Sequence, residues 1–361
     1  MKNIIIACWM LLGNILHLGA QTYDVAYTTE LQYNLSRKVN WCNLLRLDVC
    51  MPIAKNGTFE LSSIQIYKTN PERIVNDLQT FSNIEEDNLP FAIAILGYTH
   101  HIGNTALFLG IRNLNEDYFT APGMSLFTNS SCGIFPTLSV NYPIANYPLS
   151  ALCLDYKATL GKFGIKSSLY NGKGYNGWNN GNHPFTINPR RDGIFSITEI
   201  NYQTEYGKYF SGFSLHTNSD MPDVAEEQNT WKTEKKASPK MTTTWWGYVE
   251  RRMWSTDNQE INLLAQYSRN SSAISECRSY MGAGATWILD ALGQKRHETG
   301  LILSAAQFKS GYEIAGEITC RYSFNKNMSV QPAAHLIKNC MGFHKVFMIR
   351  FSCRLNMRRA G

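Results

Sequence analysis

The chain has 361 residues, 17% of them charged and 12% aromatic, with a formal net charge of +6. That length suits one large domain or two ordinary ones. So mild a charge, with no basic run interleaved with aromatics, excludes nucleic acid as a partner. Nine cysteines show neither a C-x-x-C pair nor the Cys/His spacing of a zinc site, so they read as small apolar residues and no metal or cofactor is expected.

Residues 1–20 carry Lys2, an apolar run from Ile4 to Leu18 and the small-residue site Leu18-Gly19-Ala20. This is the pattern of a secretory signal peptide cut before Gln21, leaving 21–361 as one domain. The run is shorter than the roughly 20 apolar residues of a spanning helix. Beyond it, alternation of period two recurs to the end of the chain and helical periodicity almost never does. Leu45, Leu47, Val49 and Met51 oppose Arg46 and Asp48, and Leu152, Leu154 and Tyr156 oppose Cys153, Asp155 and Lys157. Further on, Tyr312, Ile314, Ile318, Tyr322 and Phe324 oppose Glu313, Glu317 and Arg321, and Phe347, Ile349, Phe351 and Leu355 oppose Arg350 and Arg354.

Such faces fit a soluble sandwich with its apolar side inside, or a transmembrane barrel with that side on lipid and the charged side on a wet lumen. Connection lengths separate the two. We place sixteen strands at 24–34, 43–52, 58–67, 91–99, 105–112, 150–160, 162–171, 193–202, 208–217, 242–253, 260–269, 277–288, 298–307, 312–324, 327–338 and 345–356. Short turns then alternate with long loops at 68–90, 113–149, 172–192 and 218–241, as in outer-membrane barrels. Trp41, Tyr67, Tyr98, Tyr170, Tyr202, Trp245, Trp246 and Trp254 are expected to form girdles at the two interfaces. The charged 217–240 segment reads as a mobile outer loop.

The 110–143 stretch is the chain's most distinctive feature. A connection of that length in a compact domain is normally functional or disordered. This one carries Tyr118, Phe119, Leu126, Phe127, Ile134 and Phe135, which must be buried against something. Arg112, Asn113, Asn115, Glu116, Asp117, Asn129 and Ser130 between them suit hydroxyl-rich ligands. Tyr118 and Phe119 offer a flat face to a pyranose ring, whereas Arg112 and Asp117 could instead pin the loop to the wall by a charge-assisted hydrogen bond.

Gly110-Ile-Arg-Asn-Leu-Asn115, Phe119, the run Leu126-Phe127-Thr-Asn129-Ser-Ser-Cys-Gly133-Ile-Phe-Pro136, Asn141, Pro143 and Tyr147-Pro-Leu-Ser-Ala-Leu152 resemble the carbohydrate-selective (OprB-type) porin family. Weaker likeness covers Asp192–Phe195, Gly212–Thr217, Glu313, Glu317 and Val330–Pro332. The chain departs from the family's pattern at Ala333 and Ala334 and at its Arg358–Gly361 end. The resemblance implies an all-β, sixteen-stranded transmembrane antiparallel β-barrel in the bacterial outer membrane, its third outer loop (about 113–149) folded into the lumen. It implies passive diffusion of small neutral sugars, without enzymatic activity.

Lumen and site candidates are Arg46, Asp48, Arg112, Asn113, Asn115, Glu116, Asp117, Tyr118, Phe119, Asn129, Asp155, Lys157, Glu313, Glu317, Arg321 and Arg350. Expected partners are sugars, outer-membrane lipid and lipopolysaccharide, with a homotrimer as the assembly to test. The rivals are a general porin, a soluble glycan-binding β-protein and a barrel enzyme. His100-His101 and His216 are available to the last, but no nucleophile motif accompanies them.

Overall fold

The computed structural model describes residues 21–36, 38–53, 55–217, 241–273, 275–291 and 295–358. The signal-peptide reading of 1–20 and the loop reading of 218–240 lie outside these residues.

Sixteen antiparallel strands close into one barrel. In chain order they are β1 (Thr22–Asn34), β2 (Lys38–Pro52), β3 (Gly57–Lys68), β4 (Leu89–Ile102), β5 (Thr105–Arg112), β6 (Ala151–Leu160), β7 (Phe163–Asn171) and β8 (Ile194–Gln203). There follow β9 (Gly207–His216), β10 (Thr242–Ser255), β11 (Gln259–Asn270), β12 (Cys277–Ala291), β13 (Lys295–Phe308), β14 (Gly311–Asn325), β15 (Met328–Asn339) and β16 (Gly342–Arg358). Each strand pairs with its sequence neighbours, and β1 closes the ring against β16 from Thr22↔Arg358 to Asn34↔Val346. Every ladder hydrogen bond is thereby made inside the ring, with no free edge, which is what a strand protein needs to cross lipid. Every predicted strand exists; β2 begins earlier than expected because Lys38–Cys42 continue the pairing with β1.

Side-chain alternation resolves as predicted for a barrel. Leu31, Leu109, Leu154, Leu301, Leu303, Ile318, Phe347 and Ile349 all point outward and are exposed. Glu30, Asp155, Glu313, Glu317 and Gln331 point inward and are buried. Trp41, Tyr67, Trp245, Tyr312 and Phe343 ring the outer face near the long loops, and Tyr98, Trp254, Trp287 and Phe324 ring it near the short turns. Two expected girdle residues are corrections: Tyr170 and Trp246 occupy inward positions and are buried. Nearness to a strand end places a residue at an interface, but the parity of the strand decides which face its side chain takes.

The interior is filled by two loops. The 113–150 connection carries three 3-10 turns and one helical turn, Pro136–Ser139. It lays Leu114, Tyr118, Phe135, Leu138 and Ile144 against Phe108, Tyr170, Phe195, Trp246 and Tyr280 of the wall. The 69–88 connection also folds inward, which was not expected. Its Ile74, Val75 and Phe81 pack on Ala315, Ala333, Ile337, Val346 and Met348 of β14–β16. Each large apolar side chain so buried contributes about 1.5–3 kcal/mol, so packing seats both loops and polar bonds set their register. The wall leaves room for them: a Cβ on Gly300 would lie 2.8 Å from Leu126 and 2.8 Å from Phe127.

Candidate functional site

The two inward loops are joined to each other. Asn83 N donates to Thr128 O at 2.7 Å, Ser130 N to Thr80 O at 2.8 Å, and Ser131 Oγ to Gln79 O at 3.1 Å. Together they cover much of the wall from β5 round to β16 and leave an open space of ≈ 520 Å³ against the rest. Thr28, Leu44, Arg46, Ile64, Arg350 and Ser352 bound it on the barrel side, and Asn83, Glu85, Glu86, Asn115, Glu116 and Tyr147 on the loop side. A second space of ≈ 350 Å³ lies beside Gly123 and Leu126 toward the short turns, with Lys208, Glu250, Arg252, Glu260, Arg296 and Glu298 around it.

Ion pairs bridge the first space. Arg46 holds Glu116 through Nη1 at 2.6 Å and Nη2 at 3.0 Å, and its Nε reaches both oxygens of Asp48 at 2.9 Å. Arg350 Nε donates to Glu30 at 2.7 Å and its Nη2 to Asn83 at 2.6 Å. The second space repeats the design, with Lys208 on Glu250 at 3.0 Å, Arg252 on Glu260 at 3.2 Å and Arg321 on Glu298 at 2.5 Å. Both signs of charge therefore face the two spaces, and most are paired.

Several predicted ligand residues serve instead as fasteners. Arg112 is 4% exposed and bonds Asp117 at 2.5 Å, Glu60 at 2.9 Å and Asp155 at 3.3 Å, its guanidinium stacked on Phe108. Asp117 also takes Lys157, and Lys166 donates to its backbone carbonyl at 2.5 Å. Burial works against the Asp117 charge, but Arg112 and then Lys157 hold its carboxyl below the ordinary carboxylate value. Of the two readings of the Arg112–Asp117 pair, the geometry is that of the pin.

Asn113 caps the first turn by accepting from Asn115 N at 2.8 Å and donates to Leu149 O at 2.7 Å. Asn129 caps another by accepting from Ser131 N at 2.9 Å. Glu313 accepts from Leu78 N at 2.9 Å and Gln79 N at 2.8 Å. Glu317 accepts from Thr128 N at 2.8 Å and Asn129 N at 3.1 Å. These two carboxylates were expected to face water, and they are covered by the loops they anchor.

Tyr118 is likewise a correction. Its ring is buried and its hydroxyl sits 2.6 Å from Ser168 Oγ, so it presents no face to a sugar. Phe119 holds a left-handed backbone, φ 62°, a costly state for a bulky residue. Its ring is fixed against Trp246 at 5.2 Å and Phe135 at 5.5 Å. Arg46, Asp48, Asn115, Glu116, Lys157, Arg321 and Arg350 keep some exposure. Sequence reasoning missed Glu30, Glu60, Asn83 and Glu85. The signal for the last two was the set Ile74, Val75, Phe81 and Ile84, too apolar for a loop in water. Among the described residues, no group of three or more His, Cys, Asp or Glu side chains could hold a metal ion.

No protein-family model and no curated protein sequence matches the chain. Among solved structures it is similar to OprB of Pseudomonas putida in a high-pH form, with a TM-score of 0.74 at 15% identity over 95% of this chain and 96% of that one. It is similar to OmpF of Salmonella typhi in complex with daunomycin, with a TM-score of 0.60 at 9% identity over 93% of this chain and 97% of that one. It is also similar to a trimer form of OmpT, an outer membrane protein of Vibrio cholerae, with a TM-score of 0.56 at 8% identity over 93% of this chain and 100% of that one. At such identities the likeness is one of fold: the chain has the barrel of the outer-membrane porins, OprB included.

Proposed function

We propose that the protein is an outer-membrane porin, exported by a cleaved signal peptide, through which small neutral sugars diffuse passively into the periplasm. The observation that carries this reading is the passage itself. A closed barrel, apolar outside, keeps a charged and hydroxyl-lined space beside two loops held inside its lumen. Pore width and the charges around it set what a porin admits. Paired charges of both signs, as at Arg46–Glu116, give hydroxyls both donors and acceptors without a strong bias to one ion. Binding of this kind is weak, as conduction requires. The protein is a channel and not an enzyme in this reading. It lies among lipid and lipopolysaccharide as a homotrimer, an assembly the Vibrio cholerae relative adopts in one of its solved forms.

A general porin is the second reading, favoured by the likeness to OmpF. Swelling of proteoliposomes separates the two. Neutral sugars should enter faster than amino acids of like size; equal rates reduce the protein to a general porin, and no swelling removes the channel.

A further inference from the structure

The larger space is unequal in charge. Glu85, on the 69–88 loop, is 3% exposed, and among the described residues no donor meets either of its carboxylate oxygens in hydrogen-bond geometry. Gln32, its neighbour on β1, donates to Glu30 at 2.8 Å and lies beside Glu85. The two cations nearest this segment favour the Glu85 and Glu86 charges through space but form their ion pairs with others: Lys68 with Asp87 at 3.2 Å and Arg73 with Asp77 at 3.8 Å. Glu86 lines the same space, and so does Asn146, whose buried Oδ1 accepts no hydrogen bond from the described residues. The two guanidiniums opposite carry their own carboxylates, Asp48 and Glu116 on Arg46 and Glu30 on Arg350. With Lys68 and Arg73 and their partners included, four positive charges face seven negative ones: Glu30, Asp48, Asp77, Glu85, Glu86, Asp87 and Glu116. Burial pushes the Glu85 and Glu86 carboxyls up, a penalty that a cation placed beside them would relieve.

All the idle groups here are acceptors. Water or a neutral hydroxyl could donate to them, but only a cation answers the excess charge as well. An ammonium does both, because it carries three donors and no acceptor. We propose that Glu85, Glu86 and Asn146 form a cation-accepting subsite at the long-loop mouth of the passage, which takes the ammonium of a hydroxylated solute such as an amino sugar. The Arg46–Glu116 pair lies across the same space, within reach of the hydroxyls of such a solute. The subsite rests on the channel reading and adds a preference that a channel for neutral sugars lacks.

The test uses the full-length protein in planar bilayers near neutral pH, with glucosamine and N-acetylglucosamine as probes. Acetylation removes the charge and keeps the ring hydroxyls. Glucosamine should block the current at about tenfold lower concentration, the scale of one hydrogen bond to a charged partner. The Glu85→Gln/Glu86→Gln double variant should erase that difference, so that the two probes block at the same concentration. Asn146→Asp, which adds a negative charge at the same mouth, should widen it. Equal block by both probes in the wild type overturns the subsite while the channel stands, as does a preference that survives the double variant or ignores Asn146→Asp. A wild type that conducts nothing overturns the channel reading and the subsite with it.

Discussion

Arg112 stands among three carboxylates, Glu60, Asp117 and Asp155, in a place where water barely reaches. Such an arrangement adds little net stability against an apolar substitute, yet removing one member leaves uncompensated buried charge at a cost of about 3–5 kcal/mol. Lys157 also reaches Asp117 and would soften the loss there, but among the described residues Asp155 has no second cation within ion-pair distance. Arg112→Ala should therefore free the start of the 113–150 loop without opening the barrel. The expected result is a larger or noisier single-channel conductance and faster proteolysis within that loop, with heat-modifiable migration on detergent gels retained. A channel with the wild-type conductance would mean that apolar packing alone holds the loop.

At the scale of elements, the barrel and its lining had different visibility. Strands announced themselves because a period of two is a local property: Ile314 out and Glu313 in follow from adjacency alone. The inward 113–150 loop was legible because Tyr118, Phe127 and Phe135 need cover. What stayed hidden was the pairing of loop to wall. Glu317 looks the same in sequence whether it meets water or Thr128 N, and Trp246 looks the same as Trp245. The 69–88 loop was passed over although Ile74, Val75 and Phe81 carry the same message. Its seat contains Asp77, buried, with Phe81 N donating to Oδ2 at 2.6 Å and Oδ1 facing Arg73 at 3.8 Å. Burial raises this carboxyl from 3.8 to about 7, Arg73 opposing and Glu313 adding to the shift. A raised carboxyl favours the folded loop in its protonated form. Its contribution is complete below 3.8 and is lost as pH rises through about 7. Amide exchange across residues 69–88 should consequently quicken between pH 5 and pH 8, and Asp77→Asn should remove Asp77's share of that change. Exchange that slows with pH, after correction for the intrinsic rate, would contradict the assignment.

For the whole molecule the decisive matter is which solvent meets the outer face. Leu303 on β13 is 61% exposed, with Leu301, Ile314 and Ile318 exposed around it. Leu303 pairs with Gly316, near the middle of β13 and β14 and far from either rim. If water bathed this surface, a charge there would be nearly neutral, since substitutions at exposed sites usually fall within about 0.5 kcal/mol. In a bilayer the same change should cost about 2–4 kcal/mol at mid-depth and little near the interfaces. Leu303→Arg and, close to the short-turn rim, Phe324→Arg make the comparison within one protein, because both side chains point outward and both are more than half exposed. Urea unfolding of the two variants in lipid vesicles should show a large loss of stability for the first and a small one for the second. Equal, small losses would mean that acyl chains do not surround β13 and β14, and a barrel that carries solutes across a membrane would no longer account for this chain. The depth dependence is the informative part, because a core defect would respond to volume and a lipid-facing site responds to distance from the headgroups.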